Sequence, residues 1–164
     1  MVTIPTLPAP AGPPVVAAWL CLAAGLLLLL PGWRAMGEAN AEVVSPGPLV
    51  VHADRHGQYV AEGAVEGVPA RFLVDTGAAE VVIPAELARR AGLSRGEARR
   101  YRGVSGPLTA WRTRVPRLRV GPLLLRDVPA VIAPTGDSEV LLGMSVLRHL
   151  TLVQRQGRLV LAAE

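Results

Sequence analysis

Lysine is absent from this sequence of 164 residues, and all 17 of its basic residues are arginine. Mechanisms that require a lysine amine, such as Schiff-base formation, are therefore excluded. The single cysteine, Cys21, excludes a disulfide framework and a cysteine-rich zinc site. Aromatic residues make up only 4% of the chain, so a folded core must be aliphatic. The hydrophobic fraction of 51% argues against a mainly disordered chain.

Charged side chains are also missing from the first 33 residues. Residues 15–30 form an uninterrupted apolar run, and its extension to Trp33 approaches the length of a membrane-spanning helix. We interpret residues 1–14 as an N-terminal tail and residues 15–33 as a transmembrane anchor. Residues 34–48 are small, contain Pro and Gly and lack periodicity, which is typical of a linker.

A cleaved signal peptide is the alternative interpretation of this segment. The best cleavage site, Ala39-Asn40-Ala41, lies far from the apolar run, and no basic side chain precedes that run. These features favour a retained anchor. Arg34 follows the segment and mildly favours a cytoplasmic location for the rest of the chain, although Glu38 and Glu42 weaken that signal.

The remaining residues, 49–164, contain many short apolar runs separated by turn residues. We predict short helices at residues 84–91 and 144–150. Strands are predicted at residues 49–53, 58–65, 68–74, 108–120, 123–125, 128–133, 140–142, 151–154 and 159–162. Many short strands with frequent turns indicate one all-β domain, either a barrel or a sandwich.

One motif in this domain suggests chemistry. Asp75-Thr76-Gly77 follows the apolar residues Phe72-Leu73-Val74 directly, and a second apolar run begins at Val81. Taken alone, the tripeptide fits a catalytic loop no better than it fits a strand that ends in a turn. In that second interpretation Asp75 caps local amides and Gly77 supplies a positive φ. About sixty-five residues after this motif lies a second segment, Leu141-Leu142-Gly143, which precedes a predicted short helix.

Together these segments resemble the retroviral-type (retropepsin-like) single-domain aspartic proteases, and more closely their membrane-anchored bacterial relatives. The resemblance covers nearly all of residues 49–164. It implies a closed β-barrel lobe with one or two short helices, preceded here by one transmembrane helix. It also implies an aspartic endopeptidase that needs no metal or organic cofactor.

The resemblance implies roles for particular residues. Asp75 is the implied catalytic aspartate, and the hydroxyl of Thr76 is implied to bond across to a partner chain. Gly77 and Ala78 complete the active-site loop, and Ala79 stands where the family commonly has Ser or Thr. Two further groups are implied: Leu141, Leu142 and Gly143 behind the loop, and Gly103, Val104, Ser105 and Gly106 in a flap over the cleft.

The chemistry requires a second aspartate. Peptide hydrolysis of this kind uses one carboxylate to deprotonate water and a second, protonated one to polarise the carbonyl. Such a pair shares one proton because both groups cannot ionise cheaply. The chain has only one Asp-Thr-Gly, so we predict a two-fold homodimer in which Asp75 meets Asp75 of another copy. The terminal strand at residues 159–162 is a candidate for the interface.

Other residues could suggest binding of nucleic acid or metal, or a serine nucleophile. Eleven arginines between Arg89 and Arg126 oppose one acid, Glu97, but a set of base-stacking aromatics is missing, so we do not expect nucleic acid as a partner. The three histidines have no metal-ligand spacing. Ser145 lacks the context of a nucleophile and fits the start of a helix.

The sequence therefore predicts a membrane-anchored, homodimeric aspartic endopeptidase that acts on proteins or peptides. The resemblance implies a bacterial inner-membrane protein with its protease domain in the periplasm. Two alternatives stay open. One is the same fold used as a non-catalytic dimerisation or binding module, and the other is a secreted enzyme without an anchor.

Overall fold

The computed structural model describes residues 41–44, 47–103, 106–136 and 138–163. All of them belong to one compact unit, residues 39–164. The predicted tail and transmembrane anchor lie outside the described residues. Within the described ranges, no helix is long and apolar enough to cross a membrane.

These residues form short strands and two short helices. The strands are β1 (Glu42–Val44), β2 (Leu49–His52), β3 (Val60–Val65), β4 (Val68–Val74), β5 (Val81–Pro84), β6 (Ala98–Gly103), β7 (Gly106–Val120), β8 (Leu123–Ala133), β9 (Glu139–Leu142), β10 (Leu150–Arg155) and β11 (Arg158–Ala163). The helices are α1 (Ala85–Arg90) and α2 (Met144–Leu147).

Six strands close into a barrel. Their order is β8-β5-β9-β4-β3-β7, and pairing of β7 with β8 completes the ring. Strand β1 is added at β8, strand β6 is added at β7, and β10-β11-β2 form a separate sheet of three strands. The predicted all-β closed barrel with two short helices is therefore confirmed.

The position of β9 determines the architecture near Asp75. Strands β4 and β5 are consecutive in sequence, yet β9 lies between them, parallel to β4 and antiparallel to β5. The residue pairs Leu73–Leu141 and Val74–Leu142 fix the register with β4. As a result, the segment Leu141-Leu142-Gly143 lies beside the end of β4, the strand that Asp75 follows.

The core is aliphatic, as the scarcity of aromatics predicts. Phe72, the only phenylalanine, is fully buried among Val, Leu, Ile and Ala side chains. A smaller apolar cluster, made of Ala110, Val131 and Ala133, lies apart from this main core.

Two local predictions differ from the structure. Residues 42–44 were assigned to the linker but form β1, because Val43 packs against the core and the strand pairs with β8. Arg126 and Asp127 were expected to separate two strands, but β8 continues through them. Asp127 adopts a positive φ of 53°, and the register with β7 is the same on both sides of it.

Candidate active site

The loop that contains Asp75 connects β4 to β5. The amide of Asp75 donates to the carbonyl oxygen of Leu142 at 3.1 Å, which ties the loop to β9. The amide of Gly77 donates to Oδ1 of Asp75 at 2.8 Å, so the carboxylate is oriented by its own loop. Asp75 is partly exposed, whereas Thr76 and Gly77 are exposed. The loop thus presents an oriented carboxylate at a surface that a second chain can reach.

The helix α2 supports this loop from behind. Its first amides, on Met144 and Ser145, donate to the carbonyl oxygens of Ala78 and Ala79 at 2.8 and 2.9 Å. Helix starts leave amides without an internal partner, and here the loop carbonyls replace a capping side chain. This hydrogen bond fixes the backbone of Ala79, although the alanine side chain has no hydroxyl group that could form a bond of its own.

Gly143 allows this close approach. A Cβ atom built at Gly143 would lie 2.2 Å from the carbonyl oxygen of Glu80 and 2.7 Å from that of Ala78. Any side chain there would displace the loop, because the neighbouring atoms are backbone atoms of the loop itself. The backbone conformation of Gly143 is extended, so the requirement for glycine is steric.

Ser145 completes the support. Its side chain is buried, and its Oγ accepts from the amide of Val81 at 3.1 Å and donates to the carbonyl oxygen of Pro129 at 3.0 Å. It therefore joins α2 to β5 and β8. Ser145 is the second residue of α2, so it lies at the start of a helix as predicted, although Gly143 occupies the N-cap position. No local sequence signal distinguishes this serine, since its partners are distant in sequence.

The predicted flap corresponds to the hairpin of β6 and β7. Gly103 pairs with Gly106 at its end, and Gly106 has a φ of +115°, which favours glycine. Val104 and Ser105 lie outside the described residues. The structure places Gly103 and Gly106 at the end of a hairpin, as expected, and their role over a cleft stays a prediction.

The hairpin is connected to the loop by one side-chain contact. The hydroxyl of Tyr101, on β6, donates to Oε2 of Glu80 at 2.9 Å. Burial raises the pKa of Tyr101 to about 12, assisted by the hydrogen bond to Glu80 and the negative charge of that residue. The hydroxyl is therefore a donor at neutral pH. The importance of Glu80 was missed because its partner lies on another element.

The structure thus brings together two of the three predicted groups. Asp75, Gly77 and Ala78 form the loop, and Leu142 and Gly143 contact it directly. Leu141 pairs with Leu73 and with Val82, which places it between the strands on either side of the loop. These positions agree with the expected arrangement, whereas the catalytic and substrate-binding roles are functional predictions.

Within the described part of the chain, no group of three or more His, Cys, Asp or Glu side chains could hold a metal ion. His56 and His149 instead accept hydrogen bonds from the adjacent Arg55 and Arg148. Among the described residues, no hydrogen bond joins Asp75 to another carboxylate. The described part of the chain therefore offers this site a single positioned aspartate.

Comparison with known proteins identifies the family. The profile of the family described as "gag-polyprotein putative aspartyl protease" matches residues 61–149, more than half of the chain. The chain therefore belongs to this family of retropepsin-like aspartic proteases. The match includes Asp75, the β6–β7 hairpin and residues 141–143.

Solved structures agree with this fold. The chain is similar to a retropepsin-like aspartic protease from Rickettsia conorii, with a TM-score of 0.60 and 23% sequence identity. The similarity covers 74% of this chain and 92% of that one. No curated protein sequence matches the chain.

Proposed function

We propose that this protein is an aspartic endopeptidase that hydrolyses peptide bonds as a homodimer. The observation that carries the proposal is the single Asp-Thr-Gly loop, in which the amide of Gly77 orients the carboxylate of Asp75. Membership of the retropepsin-like family supports the same activity. One loop supplies half of the two-carboxylate site that the reaction needs.

The proposed reaction takes place between two Asp75 carboxylates that share one proton. The ionised carboxylate removes a proton from water, and the water oxygen attacks the peptide carbonyl carbon. The protonated carboxyl group donates to the carbonyl oxygen and stabilises the tetrahedral intermediate. The C–N bond then breaks as the amine nitrogen takes up a proton, which releases two peptides.

The substrate is proposed to be an extended segment of a protein or peptide. The β6–β7 hairpin would cover it on one side, while residues 75–78 of the loop would contact it on the other. The hydrogen bond between Tyr101 and Glu80 joins these two elements within the chain and supports this arrangement. A dimer would place two such hairpins over one site.

We further propose that the second copy packs on the outer face of the β2-β11-β10 sheet. Strand β11 pairs with β10 along its whole length and with β2 at residues 158–161, so that part of the strand can contribute only through a face. Val153, Val160 and Val50 form a row across that face, and Val153 and Val50 are 53% and 47% exposed. An apolar row of this kind supports burial against another copy.

The N-terminal segment is proposed to anchor the protein in a bacterial inner membrane, with the protease domain in the periplasm. Its support is the apolar, uncharged sequence of residues 15–33 and the family resemblance. N-terminal sequencing of the mature protein tests retention, because a start near Glu42 would contradict it. Protease accessibility in spheroplasts tests the orientation, and protection of the domain would contradict a periplasmic location.

The Asp75→Asn variant tests the catalytic proposal. We expect it to lower kcat for an unfolded protein or peptide library by about 10²- to 10⁴-fold, because the general base is lost. The matched control is Asp54→Asn, which keeps an acceptor for the amides of His56 and Gln58 in a hairpin outside the loop. Unchanged cleavage by Asp75→Asn would reject the protease and favour a non-catalytic dimerisation or binding module.

Mixed dimers test whether two copies share one site. Wild-type protein is mixed with an excess of differently tagged Asp75→Asn protein, and the mixed species is purified through both tags. We expect it to be nearly inactive, since one carboxylate of the pair is missing. Half of the wild-type activity would instead indicate that each copy works alone.

A further inference from the structure

A single side-chain contact connects the β6–β7 hairpin to the loop that follows Asp75. The Tyr101 hydroxyl and Oε2 of Glu80 are 2.9 Å apart, and the contact is partly buried. Tyr101 pairs with Leu108 near the end of the hairpin, and Glu80 is the last residue before β5. The contact therefore joins the part of the hairpin that approaches its tip to the loop that carries the candidate catalytic aspartate.

Little apolar packing holds this part of the hairpin. Tyr101 and Leu108 pack against the small cluster of Ala110, Val131 and Ala133, and they do not reach the main core. Small side chains bury little area, so they contribute less than the large aliphatic residues of the barrel. A hydrogen bond to a carboxylate is then a large share of what fixes the hairpin.

Glu80 is well placed to transmit the position of the hairpin. Its carbonyl oxygen lies against Gly143, so its backbone cannot shift towards β9 and α2. Its side chain accepts the hydrogen bond from Tyr101. Glu80 thus has a constrained backbone and a side chain bound to the hairpin.

The neighbouring charges leave this contact intact. Arg99, two residues before Tyr101 on the same strand face, forms an ion pair with Glu97 at 3.1 Å. Arg112 lies near enough to act on Tyr101 electrostatically, but within the described residues it forms no ion pair with Glu80. The carboxylate of Glu80 therefore accepts from the tyrosine.

We propose that Tyr101 is a positioning residue that ties the β6–β7 hairpin to the catalytic loop through Glu80 and so determines how firmly a peptide is held over Asp75. This tie, the hydrogen bond between Tyr101 and Glu80, forms within a single chain. Its effect on peptide binding rests on the proposed protease function. Loss of this hydrogen bond should weaken substrate binding and leave the rate of the chemical step at Asp75 nearly unchanged.

Hydrogen exchange of the full-length protein in detergent tests the tie without any assay of activity. We expect Tyr101→Phe and Glu80→Ala to accelerate exchange of the amides in β6 by about tenfold, as expected for loss of one hydrogen bond to a charged group. Glu80→Gln should stay near wild type because its amide oxygen still accepts. The matched control is Tyr59→Phe, at the only other tyrosine, and exchange in β10 and β11 reports global stability.

Two outcomes of this experiment would overturn the tie. One is wild-type exchange in β6 of Tyr101→Phe, and the other is equal acceleration in β10 and β11, which would indicate general destabilisation. The double variant Tyr101→Phe with Glu80→Ala should match either single variant, because both remove the same bond. Additive effects would show that the two residues act separately.

Peptide hydrolysis tests the effect on substrate. For Tyr101→Phe and Glu80→Ala we expect KM to rise about tenfold with kcat within about twofold of wild type, whereas Glu80→Gln should keep a KM near that of wild type. A fall in kcat alone would contradict the positioning role. If Asp75→Asn cleaves normally, the protease proposal fails while the exchange result still decides the tie. If Asp75 is required but exchange and KM are unchanged in Tyr101→Phe, only the tie fails.

Discussion

The Oγ of Ser145 accepts a hydrogen bond from the amide of Val81 at 3.1 Å, across 64 positions of sequence. The same oxygen donates to Pro129, so one buried hydroxyl satisfies a donor on β5 and an acceptor on β8. These strands flank the end of the candidate catalytic loop. The loop therefore depends on a residue that has no chemical part in the proposed reaction.

We predict that Ser145→Ala destabilises the protein by about 1–3 kcal/mol, because the variant leaves a buried amide and a partly buried carbonyl without their partner. Urea denaturation at one fixed protein concentration measures the change in the free energy of unfolding. Ser94→Ala is the control, since Ser94 is exposed. Equal stability of the two variants would show that the hydroxyl of Ser145 contributes nothing.

Gly143→Ala should be destabilising by about 1–3 kcal/mol and should also reduce hydrolysis, because the added methyl group overlaps the carbonyl oxygens of Ala78 and Glu80. The control is Gly136→Ala, where a Cβ has nothing within 4 Å. Thermal unfolding and peptide cleavage are measured for both. Wild-type behaviour of Gly143→Ala would mean that the loop can move away at no cost.

Val153→Asp should weaken the proposed dimer by about tenfold or more, since a carboxylate would be buried without a partner in the contact between copies. Sedimentation equilibrium in detergent measures the dissociation constant, and specific activity should fall on dilution. Val44→Asp is the control, because Val44 is also exposed but belongs to β1. Equal effects of the two substitutions would place the interface elsewhere.

The raised pKa of Tyr101 predicts a loss of stability in alkali. The unfolded tyrosine ionises near pH 10, whereas burial and the contact with Glu80 raise the folded pKa to about 12. The folded state thus keeps its proton where the unfolded state loses it. This contribution is complete below about pH 10 and disappears as the pH rises through about 12.

The difference in absorbance at 295 nm between wild type and Tyr101→Phe isolates the ionisation of Tyr101. A midpoint near 10 would contradict a partly buried, hydrogen-bonded hydroxyl. Denaturation at pH 9 and pH 11 should show a larger loss of stability for wild type than for Tyr101→Phe. The Glu80→Gln variant should ionise at lower pH than wild type, because the negative charge next to Tyr101 is removed.

Local sequence patterns were sufficient to predict much of the fold. The hairpin of β10 and β11 was predictable because Gln156-Gly157 occupies a two-residue turn, where both residues have positive φ. The helix α1 was predictable because Pro84 precedes it and Gly92, with a φ of +68°, follows it. Each of these signals lies within a few residues of the structure that it specifies.

The contacts that organise the candidate site were harder to predict from the sequence. Asp75 and Gly143 could be recognised from their motifs, but the bonds of Ser145 and the pairing of Tyr101 with Glu80 depend on strand register across the barrel. Strand β1 was missed because three residues in a Pro/Gly-bearing region carry no usable periodicity. The sequence therefore indicated the candidate catalytic residues but not the contacts that position them.

The insertion of β9 between β4 and β5 has a consequence for biosynthesis. A chain emerging from the ribosome completes the Asp75 loop well before the residues that hold it, because Leu142, Gly143 and Ser145 are synthesised much later. Parallel pairing between such distant strands is a slow step of folding. The supported loop of the folded chain can therefore form only after Leu142, Gly143 and Ser145 have been synthesised and have paired with it.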